Sequence, residues 1–195
     1  MDGVGGTIEA TLCSRNAHKA RELERLLPGW TIATLDADDY PDETGTTYYE
    51  NALGKARFGH ARTDGWTIGE DSGIEVAALD GRPGIGSARY APEGAPAIEK
   101  LLAELDGVED RRARYVSELV AIAPGGEVFR GSGVVEGSIA PEARGTGGFG
   151  YDPVFVADGE RATVGELGDD WKAVNSHRAR AARALREAVD RSGLP

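Results

Sequence analysis

The chain has 195 residues, 40% hydrophobic and 28% charged, with a formal net charge of −11 and a pI near 4.8. That is enough chain to bury a core, and residues 1–195 are expected to form a single domain. No stretch approaches the roughly 18 consecutive apolar residues of a membrane span. So acidic a surface repels nucleic-acid polymers and anionic membranes, and neither is expected as a partner.

The segment Met1-Asp2-Gly3-Val4-Gly5-Gly6 lacks the basic and apolar regions of a signal peptide, which points to a cytoplasmic protein. One cysteine, Cys13, excludes an intrachain disulfide, and with three histidines it argues against a structural zinc site. At the end of an apolar run, Cys13 reads as a buried structural thiol. Only four of the 22 basic residues are lysines: Lys19, Lys55, Lys100 and Lys172. An anionic substrate would need a local basic pocket within this negative field.

The apolar run from Ile8 to Cys13 predicts a first strand, and Ser14-Arg15-Asn16-Ala17-His18 a turn. Leu23, Leu26 and Leu27 share a face at helical spacing, which predicts a helix from Lys19 to Leu27, stopped by Pro28-Gly29. A strand is expected from Trp30 to Leu35, an acidic loop from Asp36 to Gly45 and a longer helix from Thr47 to Arg62. Short strands follow at Trp66–Gly69 and Ile74–Leu79, separated by Glu70-Asp71-Ser72-Gly73, with a turn at Asp80-Gly81-Arg82-Pro83-Gly84. A helix is expected from Ala97 to Leu105. A β-hairpin is expected from Arg114–Ala123 and Glu127–Val135 around Pro124-Gly125-Gly126. A glycine-rich loop, Gly145 to Gly150, leads into a strand at Val154–Val156, and a last helix runs from about Ser176 to Ser192. Early alternation of strands and helices, with a hairpin in the middle, predicts an α/β protein with a mixed sheet.

Several clusters could carry chemistry. Ser14-x-Asn16-x-x-Lys19 lies where a strand meets a helix N-terminus, whose free N–H groups favour an anion. Helix capping by Ser14 or Asn16 is the plainer reading. Glu70-Asp71 at a strand end offers hard oxygen ligands suited to Mg²⁺, or else a solvent-facing turn. Gly145-Thr146-Gly147-Gly148-Phe149-Gly150 matches G-x-G-x-x-G literally, but it does not follow the first strand and open a helix, which excludes the dinucleotide reading. In Phe149-Gly150-Tyr151-Asp152 an aromatic on a loop can stack on a base, with a carboxylate nearby. Lys172 precedes Ser176-His177-Arg178, where His177 and Arg178 can donate to a carbonyl or a phosphate.

Six segments in register resemble the inosine triphosphate pyrophosphatase family, the non-canonical purine nucleoside-triphosphate pyrophosphatases. They are Ser14 to Lys19, Glu50 to Arg57, Glu70 to Val76, Gly81 to Tyr90, Gly147 to Phe155 and Ser176 to Arg178. The resemblance implies a two-lobed fold around a long central mixed β-sheet flanked by helices, with the active-site cleft between the lobes, usually in a homodimer. It implies Mg²⁺-dependent hydrolysis of ITP, dITP and XTP to the monophosphate and pyrophosphate. By position, Asp71 corresponds to the essential acid, as metal ligand and general base. Ser14, Arg15, Asn16, Ala17, His18, Lys19, Lys55 and Ser72 correspond to the triphosphate and metal cradle. Phe149 corresponds to the base-stacking residue, with Gly150, Tyr151 and Asp152 around it. Lys172, His177 and Arg178 correspond to the nucleotide clamp and the readers of the base edge. The second metal acid falls on Asp42, with Glu43 beside it as the alternative. Lys100 acquires no role.

A nucleotide pyrophosphatase of the septum-formation type would lack the Phe149–Asp152 and Ser176–Arg178 segments. A non-catalytic nucleotide-binding module would not need Asp71 and a second acid.

Overall fold

The structure is a computed structural model that describes residues 7–14, 17–92 and 94–194, with residues 17 and 18 described through their backbone alone. The strands are β1 (Ile8–Leu12), β2 (Trp30–Thr34), β3 (Trp66–Val76), β4 (Arg112–Ile122), β5 (Val128–Ile139) and β6 (Phe155–Ala157). The helices are α1 (Ala17–Leu26), α2 (Tyr48–His60), α3 (Ala95–Glu104), α4 (Val164–Asn175) and α5 (His177–Ser192), with 3-10 segments at Ala77–Leu79 and Gly84–Arg89. The six strands form one sheet in the order β2-β1-β3-β4-β5-β6. β1 pairs in parallel with β2 and β3, whereas β5 and β6 are antiparallel, so the sheet is mixed as expected. Among the described residues no helix is long and apolar enough to cross a membrane.

The chain divides into two compact units. The first comprises Met1–Asp71, Ser117–Gly133 and Arg178–Pro195, and the second Ser72–Val116 and Val134–His177. Strands β3, β4 and β5 each contribute residues to both. In the first unit Leu12, Leu23, Leu27, Ile68, Leu119 and Leu185 are fully buried in one core, and Trp30 meets Trp66 edge-on at 5.4 Å. Cys13 is 0% exposed, and burial pushes its thiol up to about 11. In the second unit Ile74, Leu101, Leu105, Val154 and Phe155 are buried in a separate core.

Two differences from the sequence reading bear on function. Trp66 to Val76 is one continuous strand, so Glu70-Asp71-Ser72-Gly73 is not a turn between two short ones. Partners supplied by neighbouring elements let a strand carry these acids, because Glu70 and Asp71 are buried against cations instead of facing water. The other difference is α4, which sequence periodicity missed. Its start was marked by a capping box, Thr163 with Glu166, in which each side chain accepts from the other's backbone N–H. Gly168, at φ 74° and ψ −169°, kinks it and interrupts the apolar period. α1 starts at Ala17, two residues earlier than expected; β4 begins two residues earlier than expected, at Arg112, and β5 ends four residues later, at Ile139.

Candidate active site

In the first unit the site is built around β3. Gly69 lets α2 lie directly on the strand: a Cβ there would stand 1.9 Å from the Ala52 carbonyl oxygen and 2.6 Å from the Ala56 nitrogen. α2 itself starts with a capping box between Thr47 and Glu50, which fixes where its first turn begins. Asn51 and Lys55 are four residues apart, hence on one helix face, and both reach Asp71. The Asn51 amide donates to Asp71 Oδ2 at 3.1 Å, and Lys55 Nζ donates to Asp71 Oδ1 at 3.0 Å. Lys55 also donates to the Glu70 carbonyl at 3.0 Å and pairs with Glu43. The Asn51 side-chain oxygen Oδ1 accepts from the Gly45 N–H at 2.8 Å, tying the acidic loop to the helix.

Glu70, 0% exposed, points into a second set of charges. Its carboxylate pairs with Lys19 and accepts from Arg178 at 2.9 Å, and Arg178 also donates to Glu22 at 2.7 Å. Burial pushes the Glu70 carboxyl up, but Lys19 and Arg178 outweigh it and hold it well below the usual range. Asp71 goes the other way. Burial raises it and Glu43 adds to that, against the pull of Lys55 and the Asn51 amide. Burial lowers the Lys55 ammonium, but Asp71 and Glu43 lift it above its ordinary value.

Two largely buried sets of charges result, Glu43 and Asp71 around Lys55, and Glu70 between Lys19 and Arg178, linked by the Lys55 bond to the Glu70 carbonyl. Carboxylate oxygens of this kind suit a hard cation. Among the described residues no three acidic, histidine or cysteine side chains converge as a complete metal cage.

The second unit holds a different pocket, lined by Tyr115, Asp152, Phe155, Trp171, Lys172 and His177 among others. Gly148 makes room for it: φ is +73°, and a Cβ would stand 2.0 Å from Asp152 Oδ2. Asp152 accepts from the Phe149 N–H at 2.9 Å, from Lys172 Nζ at 2.9 Å and from the Tyr115 hydroxyl at 3.2 Å. Lys172 Nζ stands 4.5 Å from the centre of the Phe149 ring. The His177 ring stacks on Tyr115 at 4.4 Å and 9°.

Of the residues expected from sequence, Asp71 meets Lys55 and Lys19 meets the neighbouring Glu70 in the first unit, and Phe149, Asp152, Lys172 and His177 come together in the second. Gly150 and Tyr151 lie on the same loop; Tyr151 is buried and its hydroxyl is pushed up to about 12 by that burial. Ser14 and Ser72 are half-buried at the end of β1 and within β3. Arg15, Asn16 and the side chains of Ala17 and His18 lie outside the described residues. Asp42 is exposed, and Glu43 is the loop acid brought to Lys55. Arg178 is 1% exposed, with its guanidinium engaged by Glu70 and Glu22, so its side chain belongs to the charge cluster. Asn51 and Tyr115 were not singled out from sequence, and Glu70 was read only as one of a pair of carboxylates. The signal for Asn51 was its spacing from Lys55, two polar residues on one face among Ala52 and Ala56. Lys100, without a role in the sequence reading, donates to the Tyr90 carbonyl at 2.8 Å and lies 4.0 Å from the Tyr90 ring centre.

Comparison with known proteins gives a consistent picture. The family model of the Ham1 family matches residues 10–188. A dITP/XTP pyrophosphatase of Symbiobacterium thermophilum is 47% identical over 184 residues, 89% of this chain and 91% of that protein. A dITP/XTP pyrophosphatase of Deinococcus deserti is 39% identical over 199 residues, 100% of this chain and 95% of that protein. The structure of the Staphylococcus aureus Ham1 protein superposes with a TM-score of 0.83 at 35% identity, covering 94% of this chain and 99% of that one.

Proposed function

This chain belongs to the Ham1 family, and we propose that it hydrolyses non-canonical purine nucleoside triphosphates (ITP, dITP and XTP) to the monophosphate and pyrophosphate. The observation that carries the reading is Asp71, buried on β3 with one oxygen held by Lys55 and the other by Asn51. Two donors fix the direction of this carboxylate, and burial raises its proton affinity, which suits a general base better than an ordinary aspartate does.

In the proposed reaction a water oxygen forms a bond to the α-phosphorus while the bond from that phosphorus to the bridging oxygen breaks. Asp71 orients the water and takes its proton, and pyrophosphate leaves. Lys19 and Lys55 bind the triphosphate oxygens, exchanging carboxylate partners for phosphate. Asp71 and Glu43 are the acids that would hold Mg²⁺. When bound, the ion supplies charge neutralisation of the triphosphate. Asp42, the other candidate, is exposed.

The pocket of the second unit takes the base. Phe149 offers a stacking face, Lys172 a cation beside it, and His177 an N–H for a purine 6-oxo group. Adenine presents the opposite pattern at that edge, leaving buried polar groups unpaired, a penalty that can reach roughly 10⁴ in discrimination. Family membership also suggests a cytoplasmic protein and a homodimer; light scattering of the purified protein tests the dimer.

The deciding experiment is a panel of ITP, dITP, XTP, GTP and ATP with products identified by chromatography, with and without Mg²⁺. Pyrophosphate and monophosphate from the first three, dependent on Mg²⁺, are expected. Turnover of ATP comparable to that of ITP, or release of orthophosphate as the first product, overturns the reading.

A further inference from the structure

We infer that Tyr115 is a positioning residue that sets base selectivity, holding Asp152 with its hydroxyl and His177 with its ring. This rests on assigning the base to the pocket of the second unit. Tyr115 sits on β4 in the sequence Ala113-Arg114-Tyr115-Val116, outside every segment that carried the family resemblance. It is 7% exposed.

A carboxylate has about four lone-pair positions. Asp152 Oδ2 accepts from Lys172 and from the Phe149 N–H, each at 2.9 Å. Oδ1 accepts from the Tyr115 hydroxyl at 3.2 Å. With those positions engaged, the remaining acceptor direction on Oδ1 is set by the tyrosine. Without it the carboxylate can turn about its last torsion, which is soft for Asp.

The same ring lies flat on the His177 imidazole at 4.4 Å and 9°. Phe155 packs against the same ring at 4.5 Å and 56°, which limits how far the tyrosine can tilt. One side chain therefore fixes the plane of the pocket's imidazole and the direction of its carboxylate. A 6-oxo purine edge needs a donor and an acceptor in fixed relation, and reading fails when either turns.

Tyr115→Phe separates the two functions, because it keeps the ring and removes the hydroxyl. The expected result is a KM for ITP raised roughly tenfold, with kcat within about threefold of wild type. The ratio of kcat/KM for ITP over ATP should fall by roughly the same factor. Tyr115→Leu removes the stack as well and should lower that ratio further. In an Asp152→Asn background, Tyr115→Phe should add less than about twofold. A merely structural tyrosine would lower the urea midpoint and leave the selectivity ratio alone.

An unchanged ITP-to-ATP ratio in Tyr115→Phe, with a discriminating wild type, overturns this inference and leaves the proposed function standing. So does an undiminished effect of Tyr115→Phe in the Asp152→Asn background. A wild type that hydrolyses none of the panel overturns the proposed function, and this inference with it.

Discussion

Replacing Arg178 with methionine tests the charge cluster directly. The guanidinium donates to Glu70 through Nη2 at 2.9 Å and Nε at 3.3 Å, and to Glu22 through Nη1 at 2.7 Å. At an effective dielectric constant near 20, a pair at 2.9 Å interacts by about 6 kcal/mol. Removing one partner of a buried pair costs about 3–5 kcal/mol, mostly from the charge left behind. Lys19 still pairs with Glu70, which places the expected loss at the lower end, about 3 kcal/mol. Glu22, whose side chain is 16% exposed, loses a donor at 2.7 Å in the same variant.

In urea denaturation Arg178→Met should lose that amount of stability, and its Tm should fall by roughly 6–12 °C. Adding Glu70→Gln should restore part of the loss. The pH dependence supplies a second reading. Burial alone raises Glu70, but Lys19 and Arg178 hold it well below its ordinary 4.5. Ionised Glu70 therefore stabilises the fold above about that ordinary value, and the contribution is lost as pH falls toward the depressed folded value. Without Arg178 the depression shrinks, and the acid-side loss should flatten. A loss below 1 kcal/mol with an unchanged acid limb would refute the cluster as a stabilising unit. A raised KM without destabilisation would instead mark the guanidinium as a reader of substrate.

Three further outcomes are expected. Asn51→Asp places a second carboxylate where an amide now donates to Asp71 at 3.1 Å; kcat for ITP should fall at least roughly 100-fold, and near-normal turnover would remove Asn51 from the site. Gly69→Ala drives a methyl group against the Ala52 carbonyl oxygen, 1.9 Å from the ideal Cβ; urea unfolding should show a loss of about 3 kcal/mol, and an unchanged midpoint would mean that α2 is free to shift. Glu43→Gln should raise the Mg²⁺ concentration for half-maximal activity by roughly tenfold, whereas Asp42→Asn should change it less than about twofold; the reverse ranking would assign the metal acid to Asp42.

Much of the fold was legible because local signals agreed. The apolar run at Ile8 and the leucine face of Leu23 and Leu27 specify a strand and a helix in any setting. The β-hairpin was announced by Pro124-Gly125-Gly126. The reading failed where a partner distant in sequence overrides local preference. Glu70 and Asp71 look like a turn until Arg178, 108 residues away, and Lys55 neutralise them inside β3. Spacing put Arg178 beside His177, but backbone adjacency does not fix where two side chains go: His177 stacks on Tyr115 while Arg178 reaches Glu70. Asn51 carries no reactive group, and its role depends on the helix register that Gly69 permits. α4 was obscured by Gly165 and Gly168, although Thr163 and Glu166 marked its start.

The single thiol has a practical consequence. Cys13 follows β1, 0% exposed, with its Sγ only 2.0 Å from where a Cβ on Gly59 would stand, so α2 seals it in. A reagent that needs a thiolate finds almost none on a group pushed up to about 11. Labelling then proceeds only through molecules whose first strand has opened, and its rate counts them. The protein carries its own unfolding clock, readable by mass at one residue without any engineered probe.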